Sequence, residues 1–385
     1  MSNFSNRKVF VAACIGMCFF GVSMITLGAI LPELADKLSL TGLQKTSLVT
    51  FLPIGMLVGS LVFGPIVDRF GHKALLVPSC IVVWLGMLGL SYFESVALLQ
   101  LSIIGIGFGG GILNGETNAL VADISSEEEK GSRLSFLGMF YGLGALGIPM
   151  LLSILSQHYS FETILQGIGV LMLISILWCL PVQFPAPKQA QGFPVKQGLG
   201  LLKERGLLLL SFILFFQSGI EGVCNNWSTS YFGQATEITN EQALMALTCM
   251  VCGLTLARVA QVWLFKKVRP EVVLPFTLLL TAHGFGLLLF SPGFIRAAIG
   301  MVIIGMGLSA TYPVILSVLG NRYPTLSGTA FSVALVIALI GQTTMNALMG
   351  GLAQSENGIS IYPYVMIASL VIMIVMFRRS LKIKK

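Results

Sequence analysis

Three ionisable side chains, Glu116, Glu221 and Arg258, interrupt stretches that are otherwise apolar. A charge within hydrocarbon is costly and is retained where it binds a ligand, carries a cation or pairs with another charge. Glu221 opens the run Gly219-x-Glu221 to Trp227-x-x-x-Tyr231. At about 100° per residue, Gln217, Glu221, Asn225 and Ser228 share one helical face, and Trp227 and Tyr231 occupy an adjacent one. A stripe of acceptors and donors beside an aromatic plate suits a polyhydroxylated ligand, with hydroxyls on the polar groups and C–H faces on the rings. The competing reading is a structural Glu, with Trp227 and Tyr231 as interfacial anchors. Glu221 lies roughly 20 Å from the end of its segment, which is substrate depth rather than surface.

Asn114 and Asn118 also share a face, whereas Glu116 points about 160° away from Asn118. Tyr141, Tyr312, Gln342, Thr343 and Asn346 are further cavity candidates, though such side chains also join helices. Arg258 stands about 10 Å from its segment's end, at a depth similar to that of Glu116. It either pairs with Glu116 or extends its guanidinium to the surface. His158 and His283 read as structural. The seven cysteines all lie in apolar stretches, so Cys249-x-x-Cys252 reads as packing and not as redox or metal chemistry. No metal site and no cofactor is expected.

The elements that must carry these residues follow from composition. The chain has 385 residues, 55% hydrophobic and only 10% charged, with a mean hydropathy of +0.88. A water-soluble protein carries about 25% charged residues, so a soluble fold is excluded. The charges cluster between apolar runs of about 20 residues, each long enough to cross about 30 Å of hydrocarbon. Twelve spans are expected: 8–31, 43–67, 74–92, 96–122, 133–155, 163–183, 206–232, 242–264, 272–290, 296–318, 328–352 and 359–377. The fold class is therefore an all-α polytopic membrane protein.

With both termini in the cytoplasm, the loops place 19 of the 23 basic residues inside. Lys37, Lys45 and Arg296 fall outside and Arg258 lies within a span. Basic residues thus set orientation, and the net charge of +7 requires no nucleic acid. The first span carries no signal-peptide cleavage site. The longest connection, 184–205, holds Pro185, Pro187 and Pro194 with four basic residues, and divides the chain into 1–183 and 206–385. The halves resemble each other. Gly105 and Gly107 match Gly305 and Gly307 at an offset of 200, Gly131 and Ser135 match Gly328 and Ser332 at 197, and Phe19 and Phe20 match Phe215 and Phe216 at 196. Such duplication marks secondary transporters with a site between the halves.

Between spans two and three the chain reads Gly64-Pro65-Ile66-Val67-Asp68-Arg69-Phe70-Gly71-His72-Lys73. This is similar to the G-x-x-x-D-R-x-G-x-K loop of the major facilitator superfamily, and the resemblance runs along the whole chain. It implies two six-helix bundles, with Asp68 at the N-terminus of span eleven near Gly328, where unsatisfied amides favour an anion. Arg69 or Arg133 is then expected to pair with Asp123, and Asp68, Arg69, Asp123, Arg133 and Arg258 are gating candidates. The second-half loop, Phe265 to Glu271, lacks the D-R-x-G core.

Span four, together with the Glu–Trp–Tyr pattern of span seven, resembles the fucose–galactose–glucose:proton symporter branch. That branch reads approximately G-x-L-E-T-A-A-N-P in span four. Aligning Asn118 with the family Asn puts Asn114 at the acidic position, and aligning Glu116-Thr117 with E-T displaces the Asn by two. Both registers stand. The branch's span-one acid has no counterpart, since Ser23 and Thr26 are the polar residues there. Gly253 and Arg258 resemble a G-x-x-x-x-R pattern of the same branch.

The resemblance implies import of a sugar or sugar-like solute by proton or sodium symport. Glu221 and then Glu116 are the cation-coupling candidates, and the chain is expected to act as a monomer in a bacterial inner membrane. An efflux antiporter for drugs or metabolites is the alternative; the glycines from Gly138 to Gly147 in span five do not match the usual antiporter motif. A non-transporting receptor would add soluble domains, and an enzyme finds no nucleophile or metal constellation.

Overall fold

The computed structural model describes residues 5–188, 200–236, 238–290, 293–353 and 358–382. Pro194, Lys196, Lys384 and Lys385 lie outside the described residues. Described residues form helices α1 (Asn6–Lys37), α2 (Gly42–Phe70), α3 (Lys73–Tyr92), α4 (Val96–Asp123), α5 (Lys130–Leu155) and α6 (Phe161–Cys179). They are followed by α7 (Arg205–Ala235), α8 (Asn240–Leu264), α9 (Pro270–Leu288), α10 (Phe294–Leu308), α11 (Thr311–Arg322), α12 (Ser327–Leu352) and α13 (Tyr362–Lys382). Among the described residues, eleven helical segments are long and apolar enough to cross a membrane, α10 and α11 counting as one; α9 contributes a shorter apolar segment, Val272–Leu288. Each expected span coincides with one of these. Among the described residues there is no strand.

Helix ends follow local rules. Thr41 with Gln44, and Thr239 with Gln242, form reciprocal capping boxes, and Ser160 caps α6. Gly71 ends α2 at φ +82, a left-handed conformation that glycine tolerates. Pro270 starts α9, where its missing N–H has no partner to lose. One expected span is split in two: Ser309 and Ala310 form a turn between α10 and α11, although Ser309 keeps helical dihedrals (φ −60, ψ −32), and Pro313, four residues beyond Ser309, has no N–H for the Ser309 carbonyl.

The chain divides into two compact units. The first comprises residues 1–124, 137–198 and 323–332, and the second 125–136, 199–322 and 333–385. In the first, α4 is the central helix, with α1, α2 and α3 packed around it. Its glycines make this possible. A Cβ on Gly107 or Gly111 would meet Leu52 O or Met56 O of α2 at 2.2 and 2.3 Å, one on Gly109 Ser79 O of α3 at 2.8 Å, and one on Gly110 Ser23 Oγ of α1 at 2.4 Å.

In the second unit, α10 repeats this arrangement against α8 and α9. A Cβ on Gly305 would meet Met250 O at 2.0 Å, and one on Gly307 would meet Thr277 O at 2.6 Å. Equivalent packing thus pairs Gly107 with Gly305 and Gly109 with Gly307, 198 residues apart. The offset of 200 expected for this stretch is corrected by two residues. Both registers preserve a G-x-G pattern, so sequence identity alone does not separate them. The second core closes on Tyr362, fully buried against Tyr231 and Phe285, with its hydroxyl donating to Cys224 Sγ at 3.2 Å.

Candidate functional site

In the second unit, α7 presents Gln217, Glu221 and Asn225 one turn apart. Gln217 is fully buried and its Nε2 donates to the Leu308 carbonyl at 3.0 Å, at the point where α10 ends. Gln261 of α8 reaches the same break, its Nε2 donating to Ser309 Oγ at 2.5 Å. Ser218 and Tyr312 share a short hydroxyl–hydroxyl hydrogen bond. Glu221 is half-buried and faces Gln217 and the Arg258 charge. Gln217 Oε1, Gln261 Oε1 and Thr311 Oγ1 are buried and carry no hydrogen bond among the described residues. The broken helix is therefore surrounded by buried acceptors, a setting that suits a ligand hydroxyl or a cation.

Next to this cluster, α12 supplies Gln342 and Asn346. Asn346 Oδ1 accepts from Asn226 Nδ2 at 2.8 Å, and its own Nδ2 donates to the Gln342 carbonyl at 2.8 Å. Asn225 is exposed. Trp227 is half-buried and faces Gly350, where a Cβ would lie 3.4 Å from the indole. Tyr231 departs from the aromatic plate expected of it. It is 5% exposed, stacks on Tyr362 with centroids 5.1 Å apart, and donates its hydroxyl to the Leu288 carbonyl at 2.9 Å. One helical turn beyond Trp227, Tyr231 has rotated into the core of the unit.

In the first unit, Asn118 Nδ2 donates to the Asn114 carbonyl at 2.6 Å, so half-buried Asn114 and buried Asn118 share a face of α4. Tyr141 of α5 packs its ring on Phe20 at 5.2 Å. Ser23 and Thr26 return their hydroxyls to the Phe20 and Val22 carbonyls of their own helix. Glu116 faces elsewhere. It is fully buried, and its Oε1 lies 3.1 Å from His72 Nδ1.

The pairings expected for the charged residues need correcting. Arg258 is 8% exposed and does not reach the surface; its charge faces Glu221, while Glu116 has His72 as a partner. Asp123 pairs with His72 Nε2 at 3.0 Å and Lys188 Nζ at 2.7 Å, and accepts from Ser327 Oγ at 2.8 Å. Arg133 pairs with Glu129 at 3.0 Å, one turn back at the start of α5. Asp68 is 1% exposed and accepts from the Gly328 and Thr329 backbone amides at 3.3 and 2.9 Å and from Thr329 Oγ1 at 2.6 Å. A carboxylate on the first amides of a helix is favourably placed by the helix dipole. Arg69 sits beside the Phe70 ring, 5.7 Å from its centroid.

His72 and Lys188 are the residues that sequence reasoning missed. Burial alone pulls the His72 imidazolium down, but the hydrogen bonds to Asp123 and Glu116 outweigh it and raise its pKa from 6.5 to about 9. One signal pointed there: Glu116 and Asp123 are seven residues apart, two turns on one face, so a single side chain can bridge them.

Helices of this number and length, packed through glycine contacts that recur in each unit, define a polytopic helical membrane protein. The sequence profile of the Major Facilitator Superfamily matches residues 13–344, and the chain belongs to that family. Among solved structures, it is similar to the E. coli fucose:proton symporter FucP (TM-score 0.82, 18% identity, covering 96% of this chain and 98% of that one). It is similar also to the proton:xylose symporter XylE (0.76, 16%, 96% and 95%) and the human organic anion transporter MFSD10 (0.72, 16%, 98% and 99%). At these identities the likeness concerns the fold. A metabolite transport protein of Haemophilus influenzae is 28% identical over 157 residues, 40% of this chain and 38% of that protein. A TsgA homolog of Edwardsiella ictaluri is 27% identical over 189 residues, 47% and 48%. The chain thus spans about half the length, or less, of these curated relatives.

Proposed function

We propose that this transporter imports a sugar or sugar-like solute by symport with a cation, a proton being favoured over sodium. The observation that carries the reading is Glu221, a carboxylate within a span, set between Gln217 and Arg258 beside the broken helix of α10 and α11. Buried acceptors there suit hydroxyls, and half-buried Trp227 offers a ring for a C–H face. Asn114, Asn118, Tyr141, Tyr312, Gln342 and Asn346 are assigned to solute contact on the same reading. The solved structures of like fold include two sugar:proton symporters, which supports the substrate class. Residues 1–183 and 206–385 act as two bundles joined by 184–205, working by alternating access in a bacterial inner membrane with both termini in the cytoplasm. Asp68 and Asp123 hold the gate that must release in each cycle.

The test is reconstitution into proteoliposomes with fucose, xylose, galactose and glucose under an inward proton gradient. Accumulation that collapses with the gradient is the expected result, and Glu221→Gln should lower it at least about tenfold. Flux of lipophilic cations or organic anions alone would overturn the reading in favour of efflux. Accumulation driven by sodium at uniform pH would reassign the coupling ion.

A further inference from the structure

His72 occupies the short turn between α2 and α3, and its ring bridges two carboxylates of α4. Nδ1 lies 3.1 Å from Glu116 Oε1 and Nε2 lies 3.0 Å from Asp123 Oδ2. The imidazole is 5% exposed and Glu116 is fully buried, so water does not stand in for either partner. A neutral imidazole has one N–H and can donate to one carboxylate; donation to two ionised carboxylates requires the imidazolium. The second oxygen of Glu116, Oε2, carries no hydrogen bond among the described residues. A proton can settle on Glu116 without displacing a donor already in place.

The other charged or titratable groups sort the two carboxylates into different roles. Lys188 and Ser327 both bind Asp123, which anchors its negative charge. Asp68 of α2 adds negative charge near Asp123, and among the described residues the titratable groups whose electrostatics involve Glu116 are His72, Asp123, Cys80 of α3 and Cys179 of α6. Asp123 is thus the fixed anion, and Glu116 is the carboxylate whose hydrogen-bond partner is the imidazole.

The geometry points to Glu116, His72 and Asp123 as a buried proton-binding site, filled while the 71–72 turn is packed on α4 and emptied when that turn lifts. In the filled site the imidazolium donates Nδ1–H to Glu116 and Nε2–H to Asp123. Transfer of the Nδ1 proton to Glu116 Oε1 leaves a neutral acid donating back to Nδ1, while Nε2–H still donates to Asp123. No other reactant takes part. An arginine at this position would hold the same two carboxylates with a charge that never leaves. Histidine makes the contact conditional on a proton. As a coupling site this rests on the symport reading above; as a proton site it does not.

The test uses the full chain in nanodiscs with 15N-labelled histidine. The protein has three histidines, so His158→Gln and His283→Gln assign the His72 imidazole resonances. The expected midpoint is near 9, and Glu116→Gln should lower it by about 1–2 units. Amide hydrogen exchange in the 71–76 segment, corrected for intrinsic rate, should rise as pH passes that midpoint. In His72→Arg it should stay flat. A wild-type midpoint in the ordinary imidazole range would overturn the proposal without any variant. So would a raised midpoint that Glu116→Gln leaves in place. Neither readout needs a solute, so a chain that moves no sugar can still pass this test, and a proven sugar symporter can fail it.

Discussion

Asp68 accepts three hydrogen bonds from the first turn of α12 while almost wholly buried. Asp68→Asn puts an amide N–H among donors, and is expected to lower stability by about 1–3 kcal/mol, read as a drop in melting temperature in detergent. His72 adds a pH dependence whose sign follows from the direction of its shift. Its folded pKa, about 9, exceeds the ordinary 6.5, so the folded chain binds the proton more tightly. The contribution is complete below pH 6.5 and is lost as pH rises through 9. Melts of wild type and His72→Gln should therefore differ most in mild acid and converge in base. Asp68 was legible in the sequence, because an acid among basic residues adds nothing to orientation. His72 was not, since a histidine beside Arg69 and Lys73 looks like one more basic loop residue until α4 supplies its partners. Tyr231 was misjudged for a related reason. A helical wheel gives the face but not which neighbour covers it.

At the level of helices, the glycines of α4 determine how closely α1, α2 and α3 approach. Gly111→Val would drive a side chain into Met56 backbone 2.3 Å from the Cβ, and is expected to destabilise by about 1–3 kcal/mol. Gly147 of α5 has nothing within 4 Å of its Cβ position. Gly147→Ala should stabilise by about 0.4–1 kcal/mol, because the unfolded chain loses freedom and the folded one loses no contact. Comparing the two melts separates packing glycines from incidental ones. The spans themselves were readable from apolar length, since a helix that crosses hydrocarbon must satisfy its backbone internally. The interruption at Ser309 and Ala310 was not. Pro313 removes the N–H that the Ser309 carbonyl would take, and the Gln217 and Gln261 amides that gather at Leu308 and Ser309 come from other helices, which one helix's sequence does not show.

For the whole molecule, sparse charge placed by sign makes a prediction about sidedness. A fluorescent reporter that folds only in the cytoplasm, fused after the C-terminus, should glow, and one that folds only in the periplasm should be inactive there. The opposite pattern would reverse every assignment of side. The duplication was visible as three short matches, but its register in span ten had to come from which backbone each glycine touches.

The interrupted tenth span also bears on any effort to toughen this protein. Straightening it, for instance with Pro313→Ala, restores a backbone donor and extends a helix, so the variant should melt higher. That gain holds only while Gln217 and Gln261 keep their buried hydrogen bonds to Leu308 and Ser309. If the junction serves the proposed solute site, a variant chosen for heat resistance alone trades turnover for rigidity, so flux has to be scored beside the melt.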